Sequence, residues 1–221
     1  EQEQGAVKSG YYEYARFLKI QNYDRITLEK YINPKDYSRT NKRILKRYKA
    51  AGTKHESFEL DISGIAEEFK AYFNEILFLV YAKSIGTIFG MNKIPIEFVT
   101  NGRVYKGGNF SNIIGDFHDN IPVLLALDND PLAEIERFIA YKNFIKENNL
   151  NFMNYIAKGY IDGMKEQVWK SPFSFNAIIG TPDFFSGEMD LFRKRKIETT
   201  VFTYPHLSMT LLEDFSNGKV W

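Results

Sequence analysis

The sequence predicts an α/β (α+β) fold, a mixed sheet with helices packed on one or both faces. Two observations predict it. Strand-like and helix-like periodicities alternate along the first part of the chain, and strand-like segments dominate the last part. Between them, Ile94 to Asp128 reads as strand, Asn-Gly-Arg turn, glycine-rich loop and second apolar strand. In the first of these strands Ile94, Ile96 and Phe98 alternate with Pro95, Glu97 and Val99, the period of a half-buried strand. Asn101-Gly102 ends it, because both residues tolerate positive φ. Gly107-Gly108 opens a loop, and Ile121 to Leu127 is an apolar run of the length of a buried strand.

The other elements follow in order. Residues 1–10 are polar and read as a tail. Tyr11 to Ile20 suits a helix with Tyr11, Tyr14 and Leu18 on one stripe. Asn33-Pro34 is a helix start, with Asn as cap and Pro in the first turn, and Gly52 is the expected stop. His55 to Asp61 alternates like a strand. Asp61 and Ser63 are candidate caps for a long helix over 64–89 whose apolar face carries Ile65, Phe69, Phe73, Ile76, Leu77 and Val80. An aromatic stripe of this kind is expected to be core.

Asp130-Pro131 starts the next helix, with Leu132, Ile135, Phe138, Ile139 and Ile145 inward and Asn148-Asn149 at its end. Phe152 to Lys165 suits a short helix weakened by Gly159 and Gly163. Strands are expected at Phe173 to Gly180, Ile197 to Tyr204 and Leu207 to Glu213. A turn-rich excursion lies between the first two, and Val220-Trp221 begins a returning strand.

The chain has 221 residues, 44% of them hydrophobic, enough to bury a real core. Basic and acidic side chains number 29 and 28, for a net charge of +1, which disfavours a nucleic-acid partner. The most apolar window, Ile76 to Phe89, is interrupted by Lys83 and is shorter than the roughly 20 residues a membrane span needs. No cysteine is present, so thiolate chemistry is excluded, and no signal-peptide pattern opens the chain. A soluble, cytoplasmic protein is expected. The basic run Lys42, Arg43, Lys46, Arg47 and Lys49 could be a patch for an acidic partner, but a solvated helix face is the plainer expectation.

Candidate chemistry is sparse. His55, His118 and His206 show no metal-ligand pair spacing, and no metal is expected. Nucleophile-elbow, P-loop and dinucleotide fingerprints are absent from the sequence. His118-Asp119 could form a base with its carboxylate neighbour, but a polar lead into a buried strand is the plainer expectation.

Taken together, FVTNGR, IIGDFHDNIPVLL and SFNAIIG resemble the C-terminal half of a condensation-type domain of nonribosomal peptide synthetases. Gly102-Arg103 matches a His-Gly-Arg-like turn of that family. Gly115, Phe117 and Pro122 match its Val-Gly-x-Phe-x-Asn-x-x-Pro segment, and Phe175-Asn176 with Gly180 resembles a later strand. The YYEYARFLK opening and the helix over 64–89 are similar to the elements that precede these in the family, so the resemblance spans residues 11–221. The departures are Asn101 at the first position of the turn and Asp119-Asn120 where the family carries Asn.

The resemblance implies one lobe of a chloramphenicol-acetyltransferase-like fold, in which two lobes form a V around a tunnel. Phosphopantetheine arms, carried by partner carrier-protein domains, would enter that tunnel, and no cofactor would bind directly. The family's catalytic HHxxxDG sequence belongs to the other lobe and does not occur here. The expectation is therefore a C-terminal lobe without a catalytic residue of its own, truncated at its C-terminus and partnered by an N-terminal lobe. Arg103 would pair with the aspartate of that missing motif, since a partly buried guanidinium favours a planar carboxylate. Ile114, Gly115, Phe117, His118, Asp119 and Asn120 would line the tunnel, and the excursion at 181–197 would reach the other lobe. The implied reaction is amide formation between carrier-bound aminoacyl or peptidyl thioesters. The alternatives are epimerisation of a carrier-bound residue and a non-catalytic docking lobe. An epimerase places a glutamate close to the His-Gly-Arg-like turn, and Glu97 stands too far from Gly102-Arg103 in sequence to fill that role.

Overall fold

The computed structural model describes residues 2–23, 28, 30–47, 60–61, 72–113, 117–127, 130–158, 171–178, 207–214 and 219–220. In chain order these form α1 (Gln2–Ile20), α2 (Pro34–Arg47), β1 (Leu60–Asp61), α3 (Phe73–Phe89), β2 (Lys93–Asn101), β3 (Val104–Tyr105), β4 (Gly108–Asn109), β5 (His118–Ala126), α4 (Pro131–Glu147), α5 (Phe152–Ala157), β6 (Phe173–Ile178), β7 (Leu207–Asp214) and β8 (Lys219–Val220). The main sheet has the order β1-β8-β7-β6-β2-β5, and β3 and β4 pair separately. Strand β2 runs antiparallel to β5 and parallel to β6, and β6 runs parallel to β7. Strand β8 is antiparallel to β7 and β1. This is the mixed sheet with packed helices that the sequence predicts.

The β2–β5 ladder extends from Lys93 opposite Ala126 to Asn101 opposite His118. Ile94, Ile96 and Phe98 are buried while Glu97 and Val99 are half-buried, but Pro95 is buried as well, so the expected alternation holds from Ile96 onward and fails at Pro95. Strand β5 starts at His118, earlier than its apolar run suggests, because the ladder continues through polar residues. Among the described residues β5 is an edge strand, and its edge is guarded. The Leu124 carbonyl accepts from Arg137 Nη2 at 2.9 Å, so this position faces outward. By the two-residue period Pro122 also faces outward, and its missing N–H costs no ladder bond.

Helices α3 and α4 cover the sheet through an aromatic cluster. The Phe78 ring lies 4.6 Å from Phe138, 5.1 Å from Phe98 and 5.3 Å from Phe175. Beside it Lys142 Nζ reaches Glu75 at 2.5 Å and lies 5.3 Å from the Phe98 ring centroid. The half-buried ammonium thus has both a carboxylate and an aromatic face. Arg137 bonds Glu134 at 2.7 Å and the Tyr31 carbonyl at 2.8 Å, joining α4 to the segment before α2.

The helix ends follow local chemistry. Asn33 Oδ1 accepts from the N–H groups of Lys35 and Asp36, and Asp130 from that of Ala133, as the sequence predicts. Gly90 stops α3 at φ 61°. Several expectations are corrected. Helix α1 begins at Gln2 rather than Tyr11. Asp61 lies in β1, the helix it was expected to cap would begin outside the described residues, and α3 as described begins at Phe73 after Tyr72. Val80 and Leu132 are exposed, because helical periodicity marks a stripe but not its width. The expected residues Lys49, Gly52, His55, Ser63, Ile65, Phe69, the excursion at 181–197, and the strand at Ile197 to Tyr204 lie outside the described residues.

Phe78→Ala is expected to lower unfolding stability by about 3–5 kcal/mol through loss of burial and the cavity left among Phe98, Phe138 and Phe175. Urea titration followed by circular dichroism measures it, and a loss below about 1 kcal/mol contradicts the central position assigned to this ring.

Candidate functional site

The turn after β2 is built around a close approach. The Gly102 N–H donates to the Phe117 carbonyl at 2.8 Å. A Cβ at this position would stand 2.5 Å from that oxygen and 3.0 Å from the Tyr105 hydroxyl, so only glycine fits. Arg103, the next residue, is buried. Its guanidinium donates to the carbonyls of Phe110 and Ile113 and lies 4.1 Å over the Phe117 ring. The Phe110 N–H returns a bond to the Arg103 carbonyl at 2.8 Å. Arg103 therefore ties together the loop from 103 to 113 and the start of β5. A lysine, with one nitrogen and no planar face, could not make the same set of contacts.

An aromatic cluster fastens α1 over this loop. Tyr14 lies 4.5 Å from Phe117 and 5.1 Å from Phe110, and Phe17 lies 5.2 Å from Tyr105. The Tyr105 hydroxyl accepts from Asn151 Nδ2 at 3.3 Å, and burial pushes this phenol well above its ordinary range. Asn151 also caps α5, accepting from the Asn154 N–H at 2.8 Å. The stripe predicted on α1 is therefore real, although Tyr11 is exposed and Phe17 joins it.

His118, Asp119 and Asn120 open β5, and successive side chains on a strand point to opposite faces. His118 is exposed, and Asp119 is buried. The Asp119 carboxylate accepts from the N–H of Phe152 at 2.8 Å and of Met153 at 3.2 Å, holding the first turn of α5 against β5. Burial raises its pKa from 3.8 to about 6, while those backbone donors and the His118 charge oppose the shift. The pair does not form the oriented base considered from the sequence, because the carboxylate is taken up by backbone donors on the far face. Asn120 Nδ2 donates to Glu97 Oε2 at 3.2 Å, and the other Glu97 oxygen accepts from the Ser171 N–H at 2.6 Å. Ser171 Oγ donates to the Pro95 carbonyl and accepts from the Phe173 N–H, which sets the start of β6 against β2.

Of the expected tunnel-lining set, Phe117 and Asp119 face the interior, Asn120 is half-buried and His118 is exposed. Ile114 and Gly115 lie outside the described residues. Asn151, Ser171 and Tyr105 were not singled out from the sequence. Asn151 had a local signal, an Asn immediately before a helix start, whereas the partners of Ser171 and Tyr105 are distant in sequence. Among the described residues no group of His, Asp and Glu is arranged to hold a metal, and no helix is long and apolar enough to cross a membrane.

No family model and no curated protein matches the chain. Among solved structures the chain is similar to the crystal structure of the epimerization domain from the third module of tyrocidine synthetase B, at 14% identity and a TM-score of 0.41. The similarity covers 65% of this chain and 40% of that one. A likeness of that size identifies neither family nor reaction, and the functional reading below rests on this chain's own residues.

The Asp119 linkage has a definite sign. A carboxyl whose pKa is raised on folding holds its proton more tightly in the folded state. Its contribution is complete below about pH 3.8 and is lost as pH rises through about 6. Relative to Asp119→Asn, the wild-type chain is expected to lose up to about 3 kcal/mol between those limits. Urea unfolding at a series of pH values measures the difference, with His118→Gln as a common background to remove the neighbouring imidazole. A flat or rising difference contradicts the assignment.

Proposed function

We propose that this chain forms one lobe of a condensation-type domain of a nonribosomal peptide synthetase. In the intact domain the amine of an acceptor residue attacks the thioester carbonyl of a donor. The C–N bond forms, the C–S bond breaks, and the donor's carrier thiol leaves. The proton lost by the amine passes to the imidazole that the family's HHxxxDG motif supplies from the preceding lobe, and from there to the departing thiolate. Both substrates ride on phosphopantetheine arms of carrier-protein domains, so the lobe binds no cofactor of its own.

One observation carries this reading. The three segments that resemble the family lie on neighbouring strands. IPVLL is on β5, FVTN on β2 and SFNAI on β6, in the order β5-β2-β6. Segments far apart in the chain therefore make one continuous wall. Arg103 is buried at the turn after β2, with its guanidinium on the carbonyls of Phe110 and Ile113, a structural role within this lobe's own loop. On this reading His118 and Asn120 border the tunnel, with the buried Phe117 behind them. Asp119 acts as a strut behind it. Glu97 favours condensation over epimerisation, since its two oxygens already accept bonds from Asn120 and Ser171 and it stands on β2 opposite Pro122.

With the complete domain and carrier proteins loaded with donor and acceptor, a new amide is the expected product, detected by mass spectrometry of the carrier-bound chain. Inversion at the α-carbon without chain growth would replace the condensation reading with epimerisation. Absence of both products overturns the enzyme reading.

A further inference from the structure

Helix α2 has an unusual surface. Its inner side is set by Tyr37, Asn41 and Ile44, which are buried at i, i+4 and i+7. Its exposed residues are Lys35, Arg39, Lys42, Arg43, Lys46 and Arg47, and every one is cationic. The single carboxylate of the helix, Asp36, is half-buried, bonds Arg39 at 2.6 Å and lies 3.9 Å from Lys93. No carboxylate among the described residues pairs with Lys42, Arg43 or Lys46. Lys46 and Arg47 gain from the helix dipole in the last turn, but Lys35, Arg39, Lys42 and Arg43 do not. Like charges at i, i+4 such as Arg39–Arg43 and Lys42–Lys46 each cost roughly 0.2–0.5 kcal/mol. A helix face needing only water would be more stable with glutamates interspersed.

We propose that this face of α2 docks an acidic protein segment, one that carries carboxylates at helical spacing. The inference does not depend on the synthetase reading. Charge distribution selects the partner. Without α2's six cations and one carboxylate, the chain's 29 basic and 28 acidic side chains fall to 23 and 27. The sequence outside α2 therefore nets to −4, and the chain's cationic excess belongs to this helix, about 21 Å long. A nucleic-acid duplex or an anionic membrane is larger than a stripe of this length and gains little from a chain whose remaining charge is net negative. No large apolar side chain is exposed on α2 to enter a lipid surface, and none is aromatic for base stacking. A helix laid alongside α2 meets the stripe alone, with its carboxylates in step with Lys35, Arg39, Lys42 and Lys46.

The test uses the whole chain and two fluorescent peptides of equal composition. One carries glutamates at i, i+4, i+7 and i+11, and the other has the same residues scrambled. The patterned peptide is expected to bind at least about tenfold more tightly, and to weaken as salt rises from about 0.05 to about 0.5 M. The triple variant Lys42→Glu, Arg43→Glu, Lys46→Glu is expected to abolish binding while its melting temperature is kept or raised. If that variant fails to fold, the Gln triple variant replaces it. Equal affinity for the two peptides, or binding that survives the substitutions, overturns the proposal. So does tighter binding of duplex DNA or phosphatidylserine vesicles through the same residues.

Discussion

The antiparallel ladder between β2 and β5 is the constraint on which the rest of this structure depends. Its register places Asn101 opposite His118. That pairing brings the Gly102 N–H to the Phe117 carbonyl, turns Asp119 beneath α5 and leaves His118 outside. A slip of one residue would exchange every face. Glu97 would enter the aromatic cluster in place of Phe98, and the Asp119 carboxylate would leave the N–H groups it holds. The register is fixed on the inside by Ile94, Ile96 and Phe98. On the outside the edge is closed by Pro122 and by the bonds from α4 to the backbone of β5.

Around the ladder, the buried charged groups act as fasteners. Glu75–Lys142 joins α3 to α4, Glu134–Arg137 joins α4 to β5 and to the segment before α2, and Asp119 joins β5 to α5. Arg103 closes its loop on backbone carbonyls. Pairs of this kind contribute little net energy once desolvation is counted, but each is costly to break on one side. They favour one arrangement over its alternatives. The raised pKa of Asp119 belongs to this role. A perturbed carboxyl marks a catalytic site only when something reactive faces it, and this one faces the first turn of a helix.

What was legible in the sequence follows from the range of the interactions. Asn33-Pro34 and Asp130-Pro131 announced their helices, because a cap and the donors it satisfies lie within three residues. The alternation around Ile94, Ile96 and Phe98 announced β2 in the same way. Asp119, Ser171 and Tyr105 could not be read, since their partners stand tens of residues away and are brought close only by the sheet. The start of β5 was missed for a related reason. His118 to Asn120 carry no apolar signal, and their strand character comes from pairing with β2. Val80 and Leu132 sit on helices with more apolar residues than one face can hide. The glycine of the Asn-Gly-Arg turn was legible as a turn residue, but the crowding by Phe117 and Tyr105 that demands it was not.

The same ladder makes the synthetase reading possible, because it sets the resembling segments side by side as one wall. Amide hydrogen exchange across β2 tests that foundation most directly. The account predicts that the amides of Ile96, Glu97, Phe98 and Val99 exchange only through global unfolding, at rates that track the stability measured in urea. Exchange of these amides by local opening, orders of magnitude faster than global unfolding, would contradict it.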